Sequence, residues 1–382
     1  MLYFKKNFFI LLFFIAFVSC KTETEKTTEI ADIPTKENQV NYAEGFEIST
    51  FEGYKTITLK NPWPGTDRTF KYALIEKNTT LQNPEDYDAV VEVPVTQIVV
   101  TSTTHIPSLE MLNELDALIG FPNLNYISSE KTRQKITEGK IAELGKNEDL
   151  NTEILIDLNP DAVIGFAVDG NNSTFSTLQK SGIPVLYNSD WTETSPLGKA
   201  EWIKFFGALF NKEKEADSIF RNIETEYLSA KKIASEAKTT PSVISGAMYK
   251  DVWYMPQGNS WGAQFITDAN GNYLWSDTSG TGSLSLNLES VLEKGHDADF
   301  WIGPGQFTSL DEMENASQVY TQFKAYKTGN VYSYSIKKGQ TGGVIYYELA
   351  PNRPDLVLKD LIKILHPELF QEHQLYFFNK LD

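Results

Sequence analysis

The sequence predicts an α/β fold of two lobes bridged by a single long helix, with an N-terminal β-hairpin extension. Three observations carry this. First, residues 213–238 run without Gly or Pro, and Ala216, Ile219, Phe220, Ile223, Tyr227, Ala230 and Ala234 recur at helical spacing. Lys214, Glu215, Asp217, Arg221 and Glu224 occupy the other faces, and Thr239-Thr240-Pro241 ends the run. Such a helix spans about 39 Å. Second, the segments on either side echo each other. Leu150-Asn151-Thr152-Glu153 is matched by Leu286-Asn287-Leu288-Glu289, and Asp161-Ala162 by Asp297-Ala298, all at an offset of 136 residues. Each echo leads to an apolar run ending in Ile-Gly. Third, strand-like and helix-like segments alternate outside the long helix, as in parallel sheets with crossover helices.

The chain has 382 residues, enough for two domains with full cores. A formal net charge of −17 excludes a nucleic-acid partner, whose phosphates need a basic face. Cys20 is the only cysteine, so no intramolecular disulfide forms. Lys5 and Lys6 precede an apolar run from Phe8 to Val18, followed by Ser19-Cys20. That is the layout of a signal peptide, and the run is too short to span a bilayer. The cysteine after the cleavage point resembles a bacterial lipobox, with Phe17 where Leu is usual. Residues 1–20 are therefore expected to be a lipoprotein signal peptide and its lipidated Cys20. Residues 21–40, rich in Thr, Glu and Lys, are expected to be a flexible tether.

Residues 41–94 alternate as a hairpin: Tyr54–Leu59 and Phe70–Ile75 around Asn61-Pro62-Trp63-Pro64-Gly65. Residues 95–211 form the first lobe. Its segments are a strand Thr96–Val100, a helix Ile106–Ile119, a helix Leu150–Leu158, a strand Ala162–Phe166, a helix Ser176–Lys180, a strand Ile183–Tyr187 and a helix Trp202–Phe210. The alternation is that of a Rossmann-like lobe. Loops at strand carboxyl ends sit where open α/β sheets bind ligands, which marks Thr104, His105, Phe166, Asp169 and Trp191. Residues 212–238 are the bridging helix and 239–382 the second lobe. The second lobe contains strands Ser242–Tyr249, Asp251–Met255 and Val344–Tyr347, a flexible loop Gly339–Gly343, and a last helix Asp355–Leu365. It is dense in aromatic residues, of which Trp253, Trp261, Trp301, Tyr334 and Tyr346 are candidates to line a concave pocket.

Four stretches stand in a telling order: Asn151-x-Glu153 with Pro160-Asp161-Ala162-Val163-Ile164, Ser181-Gly182-Ile183-Pro184-Val185, Asn211-Lys212-Glu213-Lys214-Glu215-Ala216, and Asp297-Ala298-Asp299-Phe300-Trp301. In this order they resemble the class III solute-binding proteins of ABC importers, which bind iron–siderophores and cobalamin. The resemblance covers roughly residues 95–370. It implies a monomeric, lipid-anchored protein of the cell envelope, facing the periplasm, which binds a metal chelate between its lobes and catalyses nothing. The chelate would be a siderophore complex, or alternatively cobalamin or haem. Glu153 and Glu289 match the acids that dock on permease arginines in that family. Arg133 and Arg353 are candidate partners for an anionic ligand.

Two other readings stand beside this one. A bare-metal site needs several converging His and carboxylate ligands, and His105 stands alone near the expected cleft. A serine hydrolase is suggested by Gly258-Asn259-Ser260-Trp261-Gly262, with Asp297 or Asp299 and His366 following in the required order. Pro256 and Gln257 separate that motif from its strand.

Overall fold

The computed structural model describes residues 35, 40–166 and 172–382. Cys20, the tether apart from Thr35 and Val40, and Asp169 lie outside the described residues.

The N-terminal extension is a four-stranded sheet rather than a lone hairpin. Strands β1 (Phe46–Thr50), β2 (Tyr54–Lys60) and β3 (Thr69–Glu76) form a meander, and β4 (Ala89–Val93) adds in parallel to β3. Its apolar face shares one core with the first lobe: Ile57, Leu59, Tyr72 and Leu74 are fully buried. Two buried carboxylates fasten the segment that enters it. Glu201 accepts the backbone N–H groups of Asn41, Tyr42 and Ala43, and Glu193 those of Glu44 and Gly45.

The first lobe holds an all-parallel sheet in the order β11-β10-β5-β6-β7, from β5 (Ile98–Val100), β6 (Leu118–Phe121), β7 (Ala142–Glu143), β10 (Ala162–Gly165) and β11 (Val185–Tyr187). A small hairpin, β8 (Gly145–Lys146) with β9 (Asp149–Leu150), leads into the Glu153 helix. The helix expected over Ile106–Ile119 ends at Met111. Asn113 takes a left-handed conformation and turns the chain, so that Leu118–Phe121 joins the sheet beside β5.

The second lobe's sheet has the order β15-β12-β17-β18-β19. Its strands are β12 (Ser242–Ser245), β15 (Asn272–Tyr273), β17 (Phe300–Ile302), β18 (Val331–Ser333) and the antiparallel β19 (Asn379–Lys380). The expected strand Ser242–Tyr249 divides at Gly246. Its second part, β13 (Ala247–Tyr249), leaves to form a separate sheet with β14 (Val252–Pro256) and β16 (Ser283–Leu286). Gly246 has φ +76°, and a Cβ there would lie 1.8 Å from the Tyr254 carbonyl oxygen, so only glycine fits the break.

The long helix runs Glu213–Ala234, about 33 Å at the usual rise. Its first half buries Ala216, Phe220 and Ile223 in the first core. Its second half buries Tyr227, Ala230 and Ala234 in the second. One amphipathic stripe thus joins both cores, and the helix Pro354–Leu365 packs along it.

Two further expectations are corrected between the lobes. Val344–Tyr347 is β-prone by composition but enters a short helix, Ile345–Leu349, because Tyr346 is drawn into a cluster with Trp261, Tyr334, Phe377 and Phe378. The Gly339–Gly343 loop is docked rather than free. Thr341 Oγ1 donates to Asn125 O at 2.7 Å, and a Cβ on Gly339 would lie 2.6 Å from Ser128 Cα.

Candidate functional site

Each sheet reverses its strand order beside its first strand, and an open sheet binds ligands at such a reversal, beyond the carboxyl ends of its strands. In the first lobe the reversal falls between β5 and β10. Thr101, Ser102 and Thr103 follow β5, and Phe166 follows β10. These residues line a cavity of about 280 Å³, closed from the second lobe by Gly343, Val344, Tyr347 and Glu348. Phe166 is fixed there by its backbone N–H, which donates to Thr101 Oγ1 at 2.7 Å, and by an edge contact with Trp191.

In the second lobe the reversal falls between β12 and β17. Ser245 and Gly246 end one strand, Ile302 and Gly303 the other, and they border a larger cavity of about 740 Å³. Trp261 and Phe265, from the helix Trp261–Asp268, form one side. Tyr254 and Met255 of β14 form another, and Tyr334, Tyr346 and Phe378 a third. Tyr347 lines both cavities.

The aromatic lining is ordered by its own contacts. Tyr334 and Tyr346 stack at 4.3 Å, and Trp261 stacks on Tyr346 at 6.1 Å. Burial pushes the Tyr334 and Tyr346 phenols up, so both stay protonated at neutral pH. Lys199 of the first lobe crosses to the second: its ammonium donates to the carbonyls of Asp190 (3.0 Å) and Trp191 (3.1 Å) and lies 5.2 Å from the Trp261 ring. Burial holds its pKa down.

The lobes meet through directed polar contacts. Glu348 accepts backbone N–H groups from Ser128 at 2.7 Å and Ser129 at 2.9 Å. Burial nevertheless raises its carboxyl to about 7, and nearby Glu110 adds to the rise. Asn352 donates to Thr104 O at 2.8 Å and accepts from Ser108 Oγ at 3.0 Å.

The structure thus brings Phe166, Trp261, Tyr334 and Tyr346 to the cavities and places the other expected ligand residues that are described elsewhere; Asp169 lies outside the described residues. Trp253 and Trp301 are fully buried, stacked at 5.3 Å, with their indole N–H groups on Ser245 O and Gly246 O. They buttress the strand end from behind. His105 is buried against Phe206, and burial lowers its pKa to about 4, so it is a neutral core residue. Thr104 contributes its carbonyl to the lobe contact, and Trp191 supports Phe166 without lining either cavity. Arg133 donates to Leu124 O at 2.6 Å, and Arg353 forms a two-bond pair with Asp355. The Arg353 guanidinium is thereby occupied within the fold, whereas Arg133 uses one N–H on a backbone carbonyl; neither lines a cavity. Sequence reasoning missed Gly246, Tyr254, Met255, Tyr347 and Phe378. Gly246 carried a usable signal, a glycine interrupting a strand pattern.

Ser260 is a helix cap: its Oγ accepts from Ala263 N and donates to Gln257 O at 2.7 Å. Asp297 pairs with His296, Asp299 holds Ser242 and Lys324, and His366 lies against Asn270 O. Among the described residues none of these acids or histidines bonds to Ser260, so the hydrolase arrangement is absent there.

Glu153 and Glu289 are exposed in the first turns of corresponding helices, capped by Asn151 and Asn287. These acids stand at the positive ends of their helix dipoles.

Comparison with known proteins agrees with this architecture. A family model described as "Periplasmic binding protein" matches residues 98–336. An uncharacterised lipoprotein of Methanocaldococcus jannaschii is 31% identical over 300 residues, 76% of this chain and 70% of that protein. A possible iron-binding, periplasmic solute-binding protein from Staphylococcus epidermidis has the same fold, with a TM-score of 0.57 and 17% identity, over 72% of this chain and 99% of that one. So does a periplasmic vitamin B12 binding protein of Vibrio cholerae, with a TM-score of 0.51 and 12% identity, over 73% of this chain and 99% of that one. The chain belongs to the periplasmic binding protein family.

Proposed function

We propose that this chain is the substrate-binding lipoprotein of an ABC importer, which captures an iron–siderophore-type chelate between its lobes and delivers it to the permease. The observation that carries the reading is the pair of cavities at the carboxyl ends of both sheets, which share Tyr347. The larger, at about 740 Å³, has the size and the apolar lining of a small-molecule site. Among the described residues no group of three or more His, Cys, Asp or Glu is placed to hold a metal ion. A metal would therefore arrive wrapped in its own chelator. A cobalamin or haem macrocycle is the alternative cargo of the same kind.

In this reading Cys20 carries the lipid that anchors the protein in the envelope. No helix among the described residues is long and apolar enough to cross a membrane. Glu153 and Glu289 dock on the permease, and the protein works as a monomer.

The test is quenching of tryptophan fluorescence in the form that begins after Cys20. Ferric siderophores, cobalamin and haem are titrated in parallel. Trp261 faces the cavity, so saturable quenching at micromolar ligand or below is expected from one of them. No saturable response to any would remove the chelate reading.

A further inference from the structure

The walls of the site specify the charge of what enters it, given the reading above of the cavities as a chelate site. Among the described residues the larger cavity is lined by no Asp, Glu, Lys, Arg or His. On the smaller one the only such residue among the described residues is Glu348, whose oxygens already accept the Ser128 and Ser129 N–H groups. The nearest cations lie outside the lining. The Lys199 ammonium is bonded to two carbonyls and lies 5.2 Å from the Trp261 ring, and that of Lys250 lies 5.5 Å from the Tyr249 ring. Neither arginine expected to receive an anion lines a cavity: Arg133 donates to Leu124 O, and Arg353 is paired with Asp355.

An anion entering these cavities would shed its water and meet no cationic side chain on their walls, a cost that a neutral or cationic ligand does not meet. Protonated phenols offer hydrogen bonds of either polarity, and aromatic faces attract positive charge. At longer range the chain's formal net charge of −17 repels anions and draws cations in.

We infer that the site takes a metal chelate of zero or positive net charge, held by aromatic faces and phenol hydrogen bonds, and that it rejects polyanionic chelates. Ferric complexes of uncharged hydroxamate type fit this description, as does a neutral corrinoid. Ferric tris-catecholates and the carboxylate-bearing haem do not.

The experiment uses one shape in three charge states. A linear ferric trihydroxamate is titrated calorimetrically with its terminal amine free, acetylated or succinylated, giving cationic, neutral and anionic forms. A trianionic ferric tris-catecholate, haem and a neutral corrinoid are run beside it. The cationic and neutral trihydroxamates, or the corrinoid, are expected to bind at micromolar concentration or tighter. The succinylated form is expected to bind at least about tenfold more weakly than the acetylated one, and the tris-catecholate weaker still. Tightest binding of the tris-catecholate or haem would overturn the charge inference and leave the chelate reading standing. Binding of none of the six would remove both.

Discussion

Asp161 and Asp299 occupy equivalent places in the two lobes. Each immediately precedes a strand and clamps the start of the neighbouring one. Asp161 Oδ2 accepts the Thr96 N–H at 2.6 Å, the Thr96 hydroxyl at 2.9 Å and the Gln97 N–H at 2.9 Å. Asp299 Oδ2 accepts the Ser242 N–H at 2.9 Å and the Ser242 hydroxyl at 2.7 Å. In both, the acid's own N–H donates back, to Gln97 O and Ser242 O respectively. Neither carboxylate faces a cavity, so each should matter for folding alone. Asp161→Ala and Asp299→Ala are each expected to cost about 1–3 kcal/mol, since hydrogen bonds to charged groups are lost at a strand start. Urea unfolding measures the cost, and ligand affinity of the folded fraction should be unchanged.

That clamp also shows how the repeat was legible and where it slipped. Asn caps with an acid two residues on are local signals, so Asn151-x-Glu153 and Asn287-x-Glu289 aligned correctly. The sequence echo pairs Asp161 with Asp297. The structure pairs it with Asp299, because in the second lobe the helix and the turn that follows it are each one residue longer. The cavity was harder to read. Whether a tryptophan faces a ligand or a core depends on what packs behind it, so Trp253 and Trp301 looked like Trp261. Tyr347 and Phe378 reach the site from a helix that reads as a strand and from the distant C-terminal tail. Phe378 is held by Asp360, whose Oδ2 accepts the N–H groups of Phe377 at 2.6 Å and Phe378 at 3.1 Å.

The tryptophans separate by experiment. Trp253→Ala empties a fully buried site stacked on Trp301, and should destabilise the protein by about 3–5 kcal/mol. Trp261→Ala removes a cavity wall instead. It should lower ligand affinity by about tenfold or more, with a smaller loss of stability. Unfolding midpoints and calorimetric titrations of both variants provide the check. Equal losses of affinity in the two would contradict the assignment of Trp261 to the site.

Charge reversal at the exposed acids tests delivery apart from capture. Glu153→Lys and Glu289→Lys change solvated first-turn positions, so stability should move by no more than about 1 kcal/mol, the dipole term being reversed. Ligand affinity should stay within experimental error. Uptake in cells, and stimulation of the importer's ATPase, should fall sharply in the double variant. Full uptake by the double variant would exclude these acids as the docking contacts.

The pH dependence of stability should carry two opposed contributions. Burial raises Glu348 from 4.5 to about 7. Between those values the folded state holds a proton that the unfolded state has released. This contribution is therefore complete at low pH and is lost as pH climbs through 7. Burial lowers His105 from 6.5 to about 4. Here the unfolded state takes up the proton first, so stability present above 6.5 is lost as pH falls towards 4. Where the windows overlap, the two slopes oppose each other, each at most about 1.4 kcal/mol per pH unit. Glu348→Gln should make the variant gain on the wild type as pH rises from 4.5 to 7. His105→Leu should make its variant gain as pH falls from 6.5 to 4. Melting temperatures across pH 4–8 read both differences. Glu348 also joins the lobes through Ser128 and Ser129, so its slope should steepen or flatten when ligand holds the lobes together, whereas that of His105, buried inside one lobe, should not. Curves for both variants that run parallel to the wild type would mean that neither group titrates as its burial dictates.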